Sequence, residues 1–196
     1  FESIYEKIEK DDNIKLKKIL NAKDLFKSIM KTQLETGMPY IFFKDRANEV
    51  NHNSHMGMIG NGNLCMESFS NFKPTLNFEE EVDGNTAIRK SDMGEIHTCN
   101  LISLNLAELT SDEIEKHVAL AIRALDNTID LTVTPLKESN KHNLLYRTVG
   151  VGAMGLADYL AREYMIYEDS INEINELFER IALYSVKSVS YTHLRA

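Results

Sequence analysis

The chain has 196 residues, of which 30 are acidic and 22 are basic, so its formal net charge is −8. A hydrophobic fraction of 43% is ordinary for a globular domain and is enough to form a core. The acidic balance argues against a nucleic-acid-binding surface, and no apolar run or leading signal predicts a membrane span or secretion. Two cysteines, Cys65 and Cys99, are too few for a disulfide scaffold, so we expect a reducing, cytoplasmic location.

Helical patterns occupy several stretches of the chain. Asn21 is placed to cap a helix that Gly37 ends, and residues 110–113 (TSDE) form a capping box before a second helix. Two more helices are predicted over residues 151–164 and 171–188. The helix after the capping box has six apolar residues that share one face: Ile114, Val118, Ala121, Ile122, Leu125 and Ile129.

The segments between the helices predict strands and loops. A short buried strand is expected over residues 40–43, followed by a polar loop over residues 45–63. Residues 63–69 have an extended pattern, residues 71–94 form a charged, turn-rich excursion, and residues 96–106 predict a second strand. Strands that alternate with helices predict an α/β fold.

One extended stretch combines three chemically useful side chains. In a strand, alternate residues point the same way, so Asn63, Cys65 and Glu67 would share one face while Leu64 and Met66 anchor the other. That face would hold an amide, a redox-capable sulfur and a carboxylate that can accept a proton. The spacing equally allows a buried structural cysteine beside a surface glutamate.

The other candidate ligands and thiols have simpler interpretations. Cys99 lies within the second predicted strand and, taken alone, is typical of a core thiol. His52 and His55 form an H-x-x-H pair, and His97 precedes Cys99 by two residues. A zinc site needs four ligands, or three and an open position, and these pairs have no matching partner pair. We therefore predict no metal site.

Residues 150–155 (GVGAMG) match the dinucleotide fingerprint G-x-G-x-x-G. The fingerprint requires a preceding strand, and the segment before it is only weakly strand-like, so we favour small residues that let a helix pack closely on a sheet. A dinucleotide-dependent oxidoreductase that uses these glycines is the alternative. A third interpretation is a non-catalytic partner module built on helices 111–131 and 171–188, in which both cysteines would tolerate alanine.

Five segments of the chain are characteristic when they are taken together. They are residues 36–41 (TGMPYI), 62–68 (GNLCMES), 98–106 (TCNLISLNL), 121–126 (AIRALD) and 148–152 (TVGVG). In this order and at about this spacing, they resemble the large, catalytic subunit of class I ribonucleotide reductase. The resemblance extends from about residue 23 to residue 188.

The resemblance implies a role for each candidate residue. Cys65 matches the cysteine that becomes a thiyl radical and abstracts the 3′-hydrogen of the substrate. Glu67 matches the carboxylate that accepts the 3′-hydroxyl proton, and Asn63 matches the amide that binds the ribose hydroxyls, with Leu64 beside it in the substrate site. Cys99 matches one of the two redox cysteines that end as a disulfide.

The resemblance also implies the activity and the partners of a longer parent protein. It would be a ribonucleoside-diphosphate reductase, an oxidoreductase that makes deoxyribonucleotides for DNA synthesis with a disulfide as acceptor. The substrate would be a ribonucleoside diphosphate, and thioredoxin or glutaredoxin would supply reducing equivalents. A small radical-generating (beta) subunit would hold the dimetal/radical cofactor, and ATP and dNTP effectors would bind outside this segment. The full-length protein would form a homodimer, without nucleic-acid or membrane partners.

The implied fold is a ten-stranded α/β barrel with the radical cysteine on a central loop. Residues 1–188 would be a central part of this barrel, incomplete at both ends, because the resemblance covers only a minority of the family's full-length subunit. The chain also starts at Phe1 inside a helical pattern. Residues 189–196 do not continue the helical pattern and are expected to be a non-native tail. We therefore expect this polypeptide alone not to turn over.

Overall fold

The computed structural model describes residues 2–83 and 86–193. The chain divides into two units, Phe1–Ile41 and Phe42–Ala196. In the first unit, helix α1 spans Glu2–Lys10 and helix α2 spans Ala22–Thr36. The helical pattern expected at the start of the chain is thus confirmed by α1.

The ends of α2 follow the sequence signals. The Asn21 side chain accepts two backbone N–H groups of the first turn, at 3.0 and 3.2 Å. Gly37 ends the helix with a φ of 74°, and its N–H donates to the carbonyl of Gln33 at 2.9 Å. Glycine adopts this left-handed conformation without steric cost, so both predicted caps are confirmed.

The strand predicted over residues 40–43 is wrong. These residues form no regular element, and Phe43 remains 71% exposed. A short apolar run becomes a strand only where a partner strand satisfies its backbone, and these residues pair with none within the described part of the chain. Helix α3, Lys44–Glu49, instead occupies the beginning of the predicted polar loop.

The predicted turn-rich excursion over residues 71–94 is a hairpin. Strands β1, Leu76–Asp83, and β2, Thr86–Asp92, pair antiparallel. The charged composition of this stretch concealed its strand content, because charged residues weaken the alternation on which strand prediction relies.

A parallel strand pair forms the sheet next to the core. Strand β3, Leu101–Asn105, pairs in parallel with strand β4, Gly150–Met154, from Leu101↔Gly150 to Asn105↔Met154. The strand predicted over residues 96–106 is therefore confirmed only in its second half. Residues 96–100 precede the strand and are held mainly by side-chain contacts, as described below.

Four helices complete the second unit. They are α4, Ile114–Leu131; α5, Lys137–Tyr146; α6, Leu156–Arg162; and α7, Ile171–His193. Helix α5 has little amphipathic periodicity and no sequence signal identified it. Helix α7 continues through residues 189–193, so the expectation that the helical pattern stops before them is wrong. Among the described residues, no helix is both long and apolar enough to cross a membrane.

The hydrophobic core confirms the helical face predicted for α4. All six predicted apolar residues of this helix are buried, and several of them pack with Leu104, Leu106, Leu177 and Ile181 from β3, the turn after it, and α7. The capping box before α4 is also formed, since Glu113 accepts the Thr110 N–H at 3.1 Å and its hydroxyl at 2.7 Å. Parallel strands covered by helices confirm the α/β class.

The glycine fingerprint lies inside a strand. The helix predicted over residues 151–164 is wrong in its first part, because residues 150–154 form β4 and only α6 is helical. A Cβ on Gly150 would lie 2.5 Å from Leu101 Cδ2, so the small residue lets β4 approach β3 closely. The predicted close packing is therefore real, but it joins two strands. A dinucleotide site needs these glycines after the strand, so this alternative is not supported.

Candidate active site

The segment from Asn63 to Ser68 is a closed turn. The Asn63 Oδ1 atom accepts the backbone N–H groups of Glu67 at 3.1 Å and Ser68 at 3.0 Å. The Asn63 N–H donates to the Ser68 carbonyl at 3.1 Å, and Met66 has a φ of 63°. The extended conformation predicted for residues 63–69 is wrong, because an asparagine side chain offers the backbone an alternative to strand pairing.

The turn still brings the three predicted side chains together on one short segment. Cys65 and Glu67 are exposed, and Asn63 is partly buried. Leu64 was expected to anchor the opposite face of a strand, and this expectation is wrong because its side chain is 88% exposed. The Asn63 oxygen is occupied by the turn, so its Nδ2 group is the part of the amide that remains available to a ligand.

Two contacts attach this turn to the rest of the second unit. Gly62 and Phe69 form an antiparallel bridge at its base, and the Phe69 ring stacks on Phe42 with centroids 5.1 Å apart. The Ser68 hydroxyl lies 2.8 Å from Nε2 of His97. This hydrogen bond connects the turn of Cys65 to the segment of Cys99.

Cys99 is an exposed free thiol that precedes β3, so the interpretation as a core thiol is wrong. Its two neighbours hold the backbone on either side. Thr98 donates its hydroxyl to the Asn143 Oδ1 atom at 2.5 Å, and Asn100 donates to the same oxygen at 3.3 Å and to the Thr148 carbonyl at 3.1 Å. The side chain of Cys99 is therefore presented outward from a segment that is fixed by its neighbours.

A buried polar cluster lies behind both segments, and sequence reasoning missed it. His142 on α5 is fully buried, and its Nε2 atom lies 2.9 Å from the Asn71 carbonyl and 3.1 Å from the Ser70 hydroxyl. A carbonyl only accepts, so Nε2 of His142 carries the proton. The His142 ring lies 5.1 Å from the ring of His97. His97 was considered only as a metal ligand, and the sequence contains no signal for this pairing.

Burial keeps both imidazoles neutral. Desolvation, with a smaller repulsion from His142, lowers the pKa of His97 to about 4. Desolvation also lowers the pKa of His142, although the Asn71 carbonyl and the Glu95 carboxylate oppose this shift. At neutral pH the cluster therefore contains two uncharged rings.

The Glu95 carboxylate is the charged member of this cluster. Its side chain is only 3% exposed and lies 3.3 Å from the ammonium group of Lys141 and 3.8 Å from that of Lys73. It also accepts the Tyr146 hydroxyl at 3.2 Å. Burial, followed by the nearby Glu95 charge, raises the pKa of Tyr146. Two lysines and one phenol thus compensate a buried negative charge.

The histidine pair that was considered for metal binding lies elsewhere. His52 and His55 are exposed in the turns after α3. Over residues 3–76 and 92–190, whose side chains the structure describes, no three His, Cys, Asp or Glu side chains are grouped closely enough to hold a metal ion.

Comparison with known proteins identifies the family. The ribonucleotide reductase barrel domain matches residues 1–191, and the chain belongs to this family. The resemblance drawn from the five sequence segments is therefore confirmed. The α/β fold with its small parallel sheet is part of the barrel of this family.

Three relatives show the extent of the similarity, and each is named ribonucleoside-diphosphate reductase subunit alpha. The protein from Synechocystis sp. is 47% identical over 190 residues, which are 96% of this chain and 22% of that protein. A Helicobacter pylori protein is 33% identical over 226 residues, covering 95% of this chain and 29% of that protein. The Treponema pallidum protein is 35% identical over 175 residues, which are 84% of this chain and 21% of that protein. The chain thus spans less than a third of each relative.

Proposed function

We propose that the full-length protein containing this chain reduces ribonucleoside diphosphates to 2′-deoxyribonucleoside diphosphates for DNA synthesis. Family membership and the names of the relatives support this reaction class. The observation that carries the proposal is the turn at residues 63–68, which gathers a free thiol, a carboxylate and an amide donor. A radical reduction of a ribose needs these three groups at one position.

Cys65 and Glu67 perform the first steps on the substrate. The Cys65 sulfur, as a thiyl radical, takes the hydrogen atom from C3′ and becomes a thiol. Glu67 accepts the proton of the 3′-hydroxyl, and a redox thiol gives a proton to the 2′-hydroxyl, which leaves C2′ as water. At the end of the reaction Glu67 returns the proton to the 3′-oxygen and Cys65 returns the hydrogen atom to C3′. A carboxylate on the same turn as the thiol is suited to this proton transfer, because a carboxylate can accept a proton from a group within hydrogen-bond reach.

Asn63 and Leu64 orient the ribose. The Asn63 oxygen closes the turn, and its Nδ2 group donates to the ribose hydroxyls. The exposed Leu64 side chain provides an apolar surface beside the sugar. Asn63 therefore stabilises the turn through its oxygen and orients the substrate through its Nδ2 group.

Cys99 supplies reducing equivalents. Two thiols lose two electrons and two protons when they form a disulfide. One proton leaves with the 2′-hydroxyl as water, and the two electrons and the other proton reduce C2′. Cys99 is one of these thiols, and its partner belongs to another part of the full-length protein. Cys65 is not this partner, since its sulfur is the radical site.

The remaining partners follow from the family. The relatives are named subunit alpha, which supports a second, small subunit. That subunit would generate the radical with its own dimetal cofactor. Thioredoxin or glutaredoxin would reduce the disulfide, ATP and dNTP effectors would bind elsewhere in a homodimeric large subunit, and the enzyme would act in the cytoplasm.

The test is reductase activity of the full-length protein with its small subunit and a thiol reductant. Cys65→Ser is expected to abolish product formation, and Cys99→Ser is expected to permit at most limited turnover. His52→Gln is a matched control because His52 is exposed and outside the site. Multiple turnover at the wild-type rate in either cysteine variant would contradict the assigned roles.

A further inference from the structure

We propose that His97 is a positioning residue that acts through Ser68 to hold the turn of Cys65 against the segment of Cys99. This inference rests on the proposed function. The feature that carries it is the hydrogen bond between the Ser68 hydroxyl and Nε2 of His97, at 2.8 Å.

The Ser68–His97 bond is a directional contact that attaches the turn at residues 63–68, beside the Phe69–Phe42 ring stack at its base. The remaining hydrogen bonds of the turn are internal, since Asn63 closes the turn through its own side chain and backbone. Within the described residues, the Ser68–His97 bond is the one side-chain hydrogen bond that joins this turn to another segment. Without it, the turn could pivot on the Gly62–Phe69 bridge at its base.

The segment that holds His97 is itself fixed on both sides. The Ile96 N–H donates to the Glu138 carbonyl at 3.2 Å, and Thr98 donates to Asn143 at 2.5 Å. Glu95 exchanges two backbone hydrogen bonds with Lys73, at 2.8 and 3.0 Å. His97 therefore lies in a segment, residues 95–98, that hydrogen bonds hold on both sides. Its own hydrogen bond fixes the position of Ser68 relative to that segment.

The His97 ring has little freedom to rotate away from Ser68. It packs against the ring of the fully buried His142, with centroids 5.1 Å apart. The ring is neutral at neutral pH because burial lowers the pKa of His97 to about 4. A neutral imidazole and a hydroxyl can form the bond with either group as the donor, so the contact does not depend on one tautomer.

The consequence concerns the distance between Cys65 and its reaction partners. Hydrogen abstraction requires the sulfur and the substrate to be held in a near-attack geometry, and a displacement of about 1 Å costs on the order of 100-fold in rate. Loss of the Ser68–His97 bond would leave the thiol and carboxylate intact but less well placed. We therefore expect kcat to fall about 10- to 100-fold, with KM nearly unchanged.

The experiment compares single variants in the full-length protein with its small subunit. Ser68→Ala and His97→Leu should each lower kcat, and the double variant should be no slower than the worse single variant. His97→Gln should recover most of kcat, because its amide can bond to Ser68. Ser54→Ala is the matched control, since it removes a similar hydroxyl from an exposed residue in the turns after α3, outside the site. Its kcat should equal the wild-type value.

A second pair of variants distinguishes loss of the hydrogen bond from misfolding. Ser68→Thr and Ser68→Val have the same shape and differ in the hydroxyl, so only the threonine variant should retain near wild-type kcat. Equal kcat in this pair, independent effects in the double variant, or an equal loss in Ser54→Ala would overturn the inference. Failure of the proposed function would look different, because the wild-type protein would then form no deoxyribonucleotide.

Discussion

Two regions of the second unit are held together by different physical means. The helical core is formed by α4, α7 and the parallel pair β3–β4, and its buried residues are apolar. The site region consists of residues 63–71, 93–100 and 139–148, and its buried residues are mainly polar. They are Ser70, Asn71, Glu95, Ser139, His142 and Asn143.

This difference predicts which substitutions lower the stability of the whole unit and which displace a single segment. The core is stabilised by non-directional burial of apolar surface, so a change there lowers the stability of the whole unit. The site region is stabilised by directional hydrogen bonds between segments far apart in sequence, so a change there displaces one segment. Four predictions test this contrast.

The largest stability effect is expected in the core. Leu106 is 1% exposed, and Leu106→Ala should lower the free energy of unfolding by about 2–5 kcal/mol through lost burial and a cavity. Urea denaturation measures this difference. Leu120→Ala is the control on α4, where the side chain is 52% exposed, and it should cost less than half as much. Equal losses would contradict the assignment of the core.

The next effect concerns a close backbone approach in the site region. A Cβ on Gly94 would lie 2.2 Å from the Lys73 carbonyl oxygen, so Gly94→Ala must displace backbone. We expect a loss of about 1–3 kcal/mol in unfolding free energy. In Gly150→Ala the new Cβ meets the flexible end of Leu101 instead, so a smaller loss is expected. The reverse order in urea denaturation would argue against the described geometry.

A smaller stability effect is expected from the turn of the site. Asn63→Ala removes the acceptor of two backbone N–H groups and should cost about 1 kcal/mol. Asn63→Asp retains the acceptor and loses the Nδ2 donor, so its unfolding free energy should stay near the wild-type value while reductase activity falls. Stability and activity would be measured in parallel. Wild-type activity of Asn63→Asp would contradict the role of the amide donor.

The last prediction is a pH dependence. The folded pKa of His97, about 4, lies below its ordinary value of 6.5, so the unfolded state binds more protons between these pH values. Stability should therefore be full above about pH 6.5 and should decrease as the pH falls toward 4. Urea midpoints at pH 7.5 and pH 5 measure the change. His97→Gln should reduce the difference between them, and an unchanged difference would exclude His97 as its source.

The core was largely predictable from the sequence. The six apolar positions of α4, the capping box at Thr110 and the caps of α2 depend on residues within one helix or one turn. Such local signals act through backbone geometry, which neighbouring residues determine. The roles of the candidate site residues stay a prediction, and the conformation predicted for their segment was wrong. Asn63 could pair in a strand or close a turn, and only its surroundings select between these states.

The sequence by itself determined the helical faces and caps, and, through five ordered segments, the family to which the chain belongs. Only the tertiary structure decided that Cys99 is exposed, that the glycines of residues 150–154 lie inside a strand, and that His97 meets Ser68. The physical reason is the range of the interactions. Apolar periodicity depends on residues within a single helix or strand. The contacts of His97 with Ser68 and with His142 instead join segments that are widely separated in sequence.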